Sequence, residues 1–101
     1  MQTIELDATD WATPLDFIEA LQKALNAPEW CGTNIDAINE LMIWGLEAGE
    51  LAAPYVVSIS GVGAAPSEVQ EYVALQARCV KDAREEKKAR YGTDINVSIK
   101  Y

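Results

Sequence analysis

Three short apolar segments, separated by helical patterns, constrain the fold of this chain more than any other feature. They are residues 3–6, 55–60 and 95–100, and each contains the β-branched residues that favour strands. Two helical patterns separate the first segment from the second, and one separates the second from the third. The sequence therefore predicts the order β-α-α-β-α-β. Because helical crossovers join parallel strands, the three strands are expected to be parallel. The predicted fold is therefore α/β, a three-stranded parallel sheet packed with helices, and Tyr55–Ser60 is apolar enough for a covered parallel strand.

The first two helices have recognisable start signals. The first begins with Thr13 as N-cap and Pro14 at the first helical position. Its apolar face is predicted to be Leu15, Ile18, Leu21 and Leu25. The second begins with Asn34 as N-cap and ends near Gly45. Its predicted buried stripe is Ile35, Ile38, Leu41 and Met42.

The third helix is the longest. A capping box over Ser67–Gln70 predicts its start, and Gly92 predicts its end. Its predicted stripe is Val69, Tyr72, Val73, Gln76, Cys79 or Val80, and Ala83. With 101 residues, half of them apolar, the chain is expected to form one domain over residues 1–101.

The cysteine pattern and the N-terminus predict a cytoplasmic protein. Cys31 and Cys79 lack the spacing of a zinc site, and the chain has no histidine to complete one. We expect two reduced thiols, with a single disulfide between them as the alternative. The first residues lack the pattern of a signal peptide, and no apolar run reaches membrane-spanning length. No metal and no cofactor are expected.

The charge is strongly negative and unevenly placed. The net charge is −8, and residues 1–54 hold ten of the sixteen acidic residues against one basic residue, Lys23. Such a surface repels nucleic-acid phosphates and attracts basic proteins. Acidity that serves only solubility is the alternative interpretation.

One stretch concentrates the candidate functional residues. Asp36 and Glu40 stand four residues apart, so a helix would place both on one side, with no basic residue between them. Without histidine or a nucleophile paired with a base, catalysis is not predicted. A binding surface for a cationic group is the better interpretation. Trp30, in the preceding loop, is either an aromatic anchor for a partner or a core residue folded inward.

The stretch Pro-Glu-Trp-Cys-Gly-Thr-Asn-Ile-Asp-Ala-Ile, residues 28–38, is similar to the loop and second helix of barstar-like ribonuclease inhibitors. The length and the element order also resemble that family. The resemblance implies a cytoplasmic inhibitor, monomeric when free, that blocks the active-site cleft of a small basic ribonuclease with the Pro28–Gly32 loop and the acidic face of the second helix. The partner-binding residues that it implies are Trp30, Asn34, Ile35, Asp36, Asn39, Glu40 and Trp44.

This chain departs from the family pattern in three places. Glu40 stands where Asp is usual, and Asn39 and Cys31 each replace an aromatic residue. The family's additional acid on the third helix has two candidates here, Glu85 and Glu86. The alternatives are therefore immunity to a different nuclease toxin, or an acidic adaptor for another basic protein.

Overall fold

The first two strands are neighbours in the sheet although two helices separate them in the sequence. In the computed structural model, which describes residues 2–27, 32–44 and 54–101, β1 (Gln2–Asp7) pairs in parallel with β2 (Tyr55–Ser60). β2 also pairs in parallel with β3 (Val97–Lys100), so the order is β1-β2-β3. The predicted parallel α/β fold is confirmed. The third strand begins at Val97, rather than at residue 95 as predicted.

Only one face of the sheet belongs to the core. Along β2, Tyr55, Val57 and Ile59 are buried, whereas Val56 and Ser58 are half-buried and Ser60 is exposed. β1 follows the same alternation, with its odd-numbered residues exposed. The apolar sequence of β2 predicted a strand covered on both faces, and that prediction was wrong. The sheet alternates in the way that is usual for a sheet with one open face.

Helix α1 (Pro14–Ala24) begins as predicted, and three of the four residues predicted for its apolar face, Ile18, Leu21 and Leu25, are buried. The Asp16 carboxylate accepts the backbone N–H groups of Ala12 at 2.8 Å and Thr13 at 3.0 Å. These hydrogen bonds lower the pKa of Asp16. Leu15, predicted to be buried, is 46% exposed. The core instead receives Phe17, whose ring packs against those of Trp11 and Tyr72.

Helix α2 (Ile35–Asn39) is short and continues directly into a π-helical turn, Glu40–Trp44. A π turn closes i→i+5 hydrogen bonds and therefore contains more residues than an α-helical turn. Leu41, Met42 and Ile43 are consecutive and are all buried. A regular helix with the predicted stripe would have turned Ile43 away from Leu41. The predicted end near Gly45 lies outside the described residues.

Helix α3 (Ser67–Tyr91) is 25 residues long and ends at Gly92, whose φ of 76° is in the left-handed region. The predicted capping box was wrong, because Pro66 is the N-cap and has no N–H to donate. Gln70 Nε2 donates instead to the carbonyl of Ala65 at 2.8 Å. The predicted stripe is confirmed at its fully buried positions, Val69, Val73, Gln76, Val80 and Ala83. None of the described helices is long and apolar enough to cross a membrane.

Candidate functional site

The start of α2 is fixed by two hydrogen bonds. Asn34 has extended backbone, and its side-chain oxygen accepts the backbone N–H of Ala37 at 2.8 Å, which confirms the predicted N-cap. Gln22 Nε2, on α1, donates to the carbonyl of Gly32 at 2.8 Å. A Cβ on Gly32 would lie 3.2 Å from the Cβ of Ala37. The chain therefore enters α2 in close contact with both helices.

Asp36 and Glu40 are both exposed on this element. Asp36 lies in the first turn of α2, near the positive end of the helix dipole, and Glu40 opens the π turn. Neither carboxylate forms an ion pair or a hydrogen bond with the part of the chain that the structure describes. Both are therefore available to accept hydrogen bonds from a cationic partner.

The opposite side of α2 is attached to α3 through Gln76. This side chain is fully buried, and its Nε2 lies 3.1 Å from the side-chain oxygen of Asn39 and 3.4 Å from the carbonyl of Ile35. Asn39 Nδ2 also donates to the carbonyl of Cys79, at 3.4 Å. Both groups of the Asn39 amide are thus engaged within the protein. Ile35 and Asn39 are half-buried.

The π turn is attached to α3 by a second contact. Lys87 Nζ donates to the carbonyl of Ile43 at 2.7 Å. The Lys87 ammonium and the Arg90 guanidinium lie 5.8 Å and 5.6 Å from the centre of the Trp44 ring, within cation–π range. Trp44 is half-buried and packs against the core. It is thus held by the core on one side and by two cations of α3.

The two candidate acids of α3 occupy different surroundings. Glu86 Oε1 accepts from Arg90 at 2.7 Å, so it is joined to a cation that contacts Trp44. Glu85 lines a separate depression with Lys81 and Lys88. Both glutamates are exposed.

Among the predicted site residues, the structure brings Asn34, Ile35, Asp36, Asn39, Glu40 and Trp44 together on α2 and the π turn. Trp30 and Cys31 lie outside the described residues. Cys79 is a free thiol. Sequence reasoning missed the attaching roles of Gln76, Lys87 and Arg90. A polar residue inside the apolar stripe of α3 was the available signal for Gln76.

Within residues 2–27, 32–44 and 54–101, no three Cys, Asp or Glu side chains are grouped to hold a metal ion. Residues 1–100 match the family model described as Barstar (barnase inhibitor). The chain belongs to the barstar family. Barstar-family proteins are ribonuclease inhibitors and not enzymes. No curated protein matches this chain.

Membership of the barstar family bears on the exposed acids because it indicates a protein partner. A barstar-family protein binds a ribonuclease, which is a protein partner. In this member, the two acids that have no partner among the described residues lie on the element whose other side is attached to α3. In this fold, a short acidic helix is exposed on one side and is held against α3 by hydrogen bonds on the other.

Proposed function

We propose that this protein inhibits a small basic ribonuclease in the cytoplasm of the cell that makes it, by blocking the cleft of the nuclease with the Pro28–Gly32 loop and the acidic face of α2. The proposal rests on one observation. In a chain of the barstar family, Asp36 and Glu40 are exposed on a helix anchored from behind, without internal ion partners in the described structure.

The two carboxylates would occupy the position of substrate phosphate. A cleft that binds RNA phosphates must present cationic donors, and carboxylates are the protein groups that match them. Charge complementarity of this kind speeds encounter and selects the partner. The attachment of α2 to Gln76 holds the helix in one orientation before binding, which reduces the entropy lost on association.

The half-buried residues would form the edge of this surface. The Asn39 side chain is hydrogen-bonded to Gln76 and to the carbonyl of Cys79, so we assign it two roles. It holds α2 against α3, and it contacts the partner at the periphery of the surface. Ile35 and Trp44 would supply apolar contact beside the two acids. Trp30 remains the proposed stacking aromatic of the loop, as the resemblance implies.

Glu86, rather than Glu85, is our candidate for the additional acid of α3. Its partner Arg90 contacts Trp44, which places Glu86 on the side of α3 that borders the π turn. Glu85 is surrounded by Lys81, Arg84 and Lys88 on another part of the helix. A nuclease that docks on α2 would therefore reach Glu86 first.

The test is an inhibition titration. Secreted basic ribonucleases of the barnase class, barnase included, are assayed on a fluorogenic RNA with increasing amounts of the purified protein. Inhibition that reaches completion at one inhibitor per enzyme is expected for at least one nuclease. Asp36→Asn and Glu40→Gln should weaken it, whereas Glu19→Gln, an exposed acid of α1, should not. Equal loss in all three variants would reduce the effect to overall charge and contradict the proposed surface.

A further inference from the structure

A groove lies between α3 and the outer edge of the sheet. It has a volume of about 430 Å³, and its lining includes Ala74, Ala77, Arg78 and Lys81 from α3 and Ile99 from β3. The alanines have the smallest side chains on this side of the helix and leave the groove open. Tyr101, 58% exposed, also lines it. The groove is therefore a partly apolar channel that runs beside a strand.

That strand is an edge of the sheet. β3 pairs with β2 on one side only, and no described residue hydrogen-bonds to the backbone on its outer side. Unpaired backbone groups along an edge strand can accept an added strand from another chain. Lys100 is an exposed charge at the end of this edge. Edge lysines discourage the addition of another strand, but a strand that places opposite charge against the lysine is favoured over an identical edge, which places like charge there.

The groove is cationic in a protein of net charge −8. Arg78 and Lys81 are exposed, and neither is paired with a carboxylate among the described residues. Arg84 also lines the groove, but its guanidinium is held by Asp94 at 2.7 Å. Two cations therefore remain available beside an open strand edge.

We propose that this groove binds an extended acidic segment of a partner protein, which adds to β3 as a further strand and places carboxylates against Arg78 and Lys81. A second copy of this chain would bring the same cations of both copies together, which disfavours it. A nucleic acid would leave the strand edge unpaired, whereas an extended peptide can form backbone hydrogen bonds with it.

The groove and the acidic face of α2 use different sides of α3. A helix turns about 100° per residue, so Arg78 and Lys81 project roughly 140–200° away from Gln76, which contacts α2. The groove does not depend on the proposed inhibition of a ribonuclease, and the two can fail separately.

The test uses a fluorescein-labelled peptide of alternating glutamate and valine. The control peptide, called the match below, carries glutamine in place of each glutamate. Anisotropy should give a dissociation constant on the order of 10–100 µM for the acidic peptide at low salt, and at least about tenfold weaker binding for the match. Amide resonances of Val97–Lys100 should shift in the complex, and their hydrogen exchange should slow.

Matched variants separate the groove from overall charge. Arg78→Glu combined with Lys81→Glu should weaken peptide binding about tenfold or more, and the single variant Lys81→Glu, which changes the net charge as much as the control below, about threefold. Lys23→Glu, an exposed site on α1, should change it less than about twofold. Failure of the acidic peptide to bind, equal loss with Lys23→Glu, or amide shifts confined to α2 would overturn the proposal. Tighter binding of a single-stranded RNA to the same residues would also overturn it.

Discussion

Gln76 Nε2 donates to the side-chain oxygen of Asn39 across 3.1 Å, and this contact joins the core helix to the acidic one. The other oxygen of the pair, Gln76 Oε1, is buried with no partner among the described residues. The contact therefore combines a stabilising hydrogen bond with an unsatisfied carbonyl. These two effects oppose each other in the stability of the protein.

Replacement of Gln76 should separate these effects. Gln76→Met keeps most of the volume, loses the hydrogen bonds to Asn39 and to the carbonyl of Ile35, and removes the unsatisfied oxygen. Because these effects oppose each other, the free energy of unfolding should change by less than about 1.5 kcal/mol. Gln76→Glu would bury a charge and should lose several kcal/mol. Urea denaturation measures both. A large loss in Gln76→Met would show that Oε1 has a partner in solution. In the proposed inhibition assay, Gln76→Met should weaken binding although it touches no partner.

Asp36 and Glu40 should matter to binding far more than to folding. Two like charges at this spacing repel by about 0.2–0.5 kcal/mol, so Glu40→Gln should leave the fold unchanged or slightly more stable. Asp36→Asn should be nearly neutral, because it loses a favourable dipole interaction and the same repulsion. Each variant should weaken the complex by about 2 kcal/mol or more. The double variant should lose less than the sum, since both acids would meet one cationic cleft. Unchanged affinity would mean that this face is only solvated.

Lys87 should contribute to stability, and its neighbour should not. Lys87→Met removes the hydrogen bond to the carbonyl of Ile43 and the contact with the Trp44 ring, and should cost about 1–2 kcal/mol. Lys88→Met makes the same substitution at an exposed position, and the free energy of unfolding should change by no more than about 0.5 kcal/mol. The tryptophan fluorescence, to which Trp11, Trp30 and Trp44 contribute, should respond to the first variant only. Equal effects from the two would assign the loss to net charge.

Acid should destabilise the fold through Asp94. Its two hydrogen bonds from Arg84, at 2.7 Å and 2.9 Å, hold the pKa of Asp94 well below the ordinary 3.8. A lowered pKa stabilises the folded state above the unfolded value, and this contribution is lost as pH falls from about 4 toward the folded value. Asp94→Asn should therefore be less stable at pH 7 and should show a flatter decline below pH 4. Asp10→Asn, which changes an exposed acid without a described hydrogen bond, is the control. Parallel acid profiles for wild type and Asp94→Asn would contradict this assignment.

Trp30→Ala distinguishes the two interpretations of the loop. A displayed aromatic anchor predicts a loss of about 2 kcal/mol or more in binding, with stability nearly unchanged. A core-packed tryptophan predicts a loss of about 3–5 kcal/mol in the free energy of unfolding. Both quantities can be measured on the same variant. A loss of stability without loss of affinity would remove Trp30 from the proposed surface.

Local signals predicted much of the fold and of the site. Asn34 could be recognised as an N-cap because the hydrogen bond that makes it one joins residues only three positions apart, Asn34 and Ala37. The buried positions of α3 were recognised because one period governs a long helix. The predicted capping box failed for an equally local reason, since Pro66 took the N-cap position and removed the donor that the box requires.

The remainder depends on contacts that no local pattern contains. The π turn was not predicted, although four consecutive apolar residues, Leu41–Trp44, fit an α-helical stripe poorly. The partners of Gln76 and Lys87 are about forty residues distant along the chain. These partners come together only when α2 and the π turn pack on α3. The sequence alone therefore showed only that Gln76 is a polar residue in an apolar stripe and that Lys87 lies near a helix end.

The attachment of α2 from behind has a consequence for protein engineering. The side chains that hold this helix, Asn39 and the residues of α3 that it meets, are separate from the two exposed acids. Positions 36 and 40 can therefore be randomised in a library with little penalty to folding. Gln76 and Lys87 should stay constant in such a library, since they keep the randomised positions in a single geometry. The scaffold is thus suited to libraries that vary the chemistry of this exposed face.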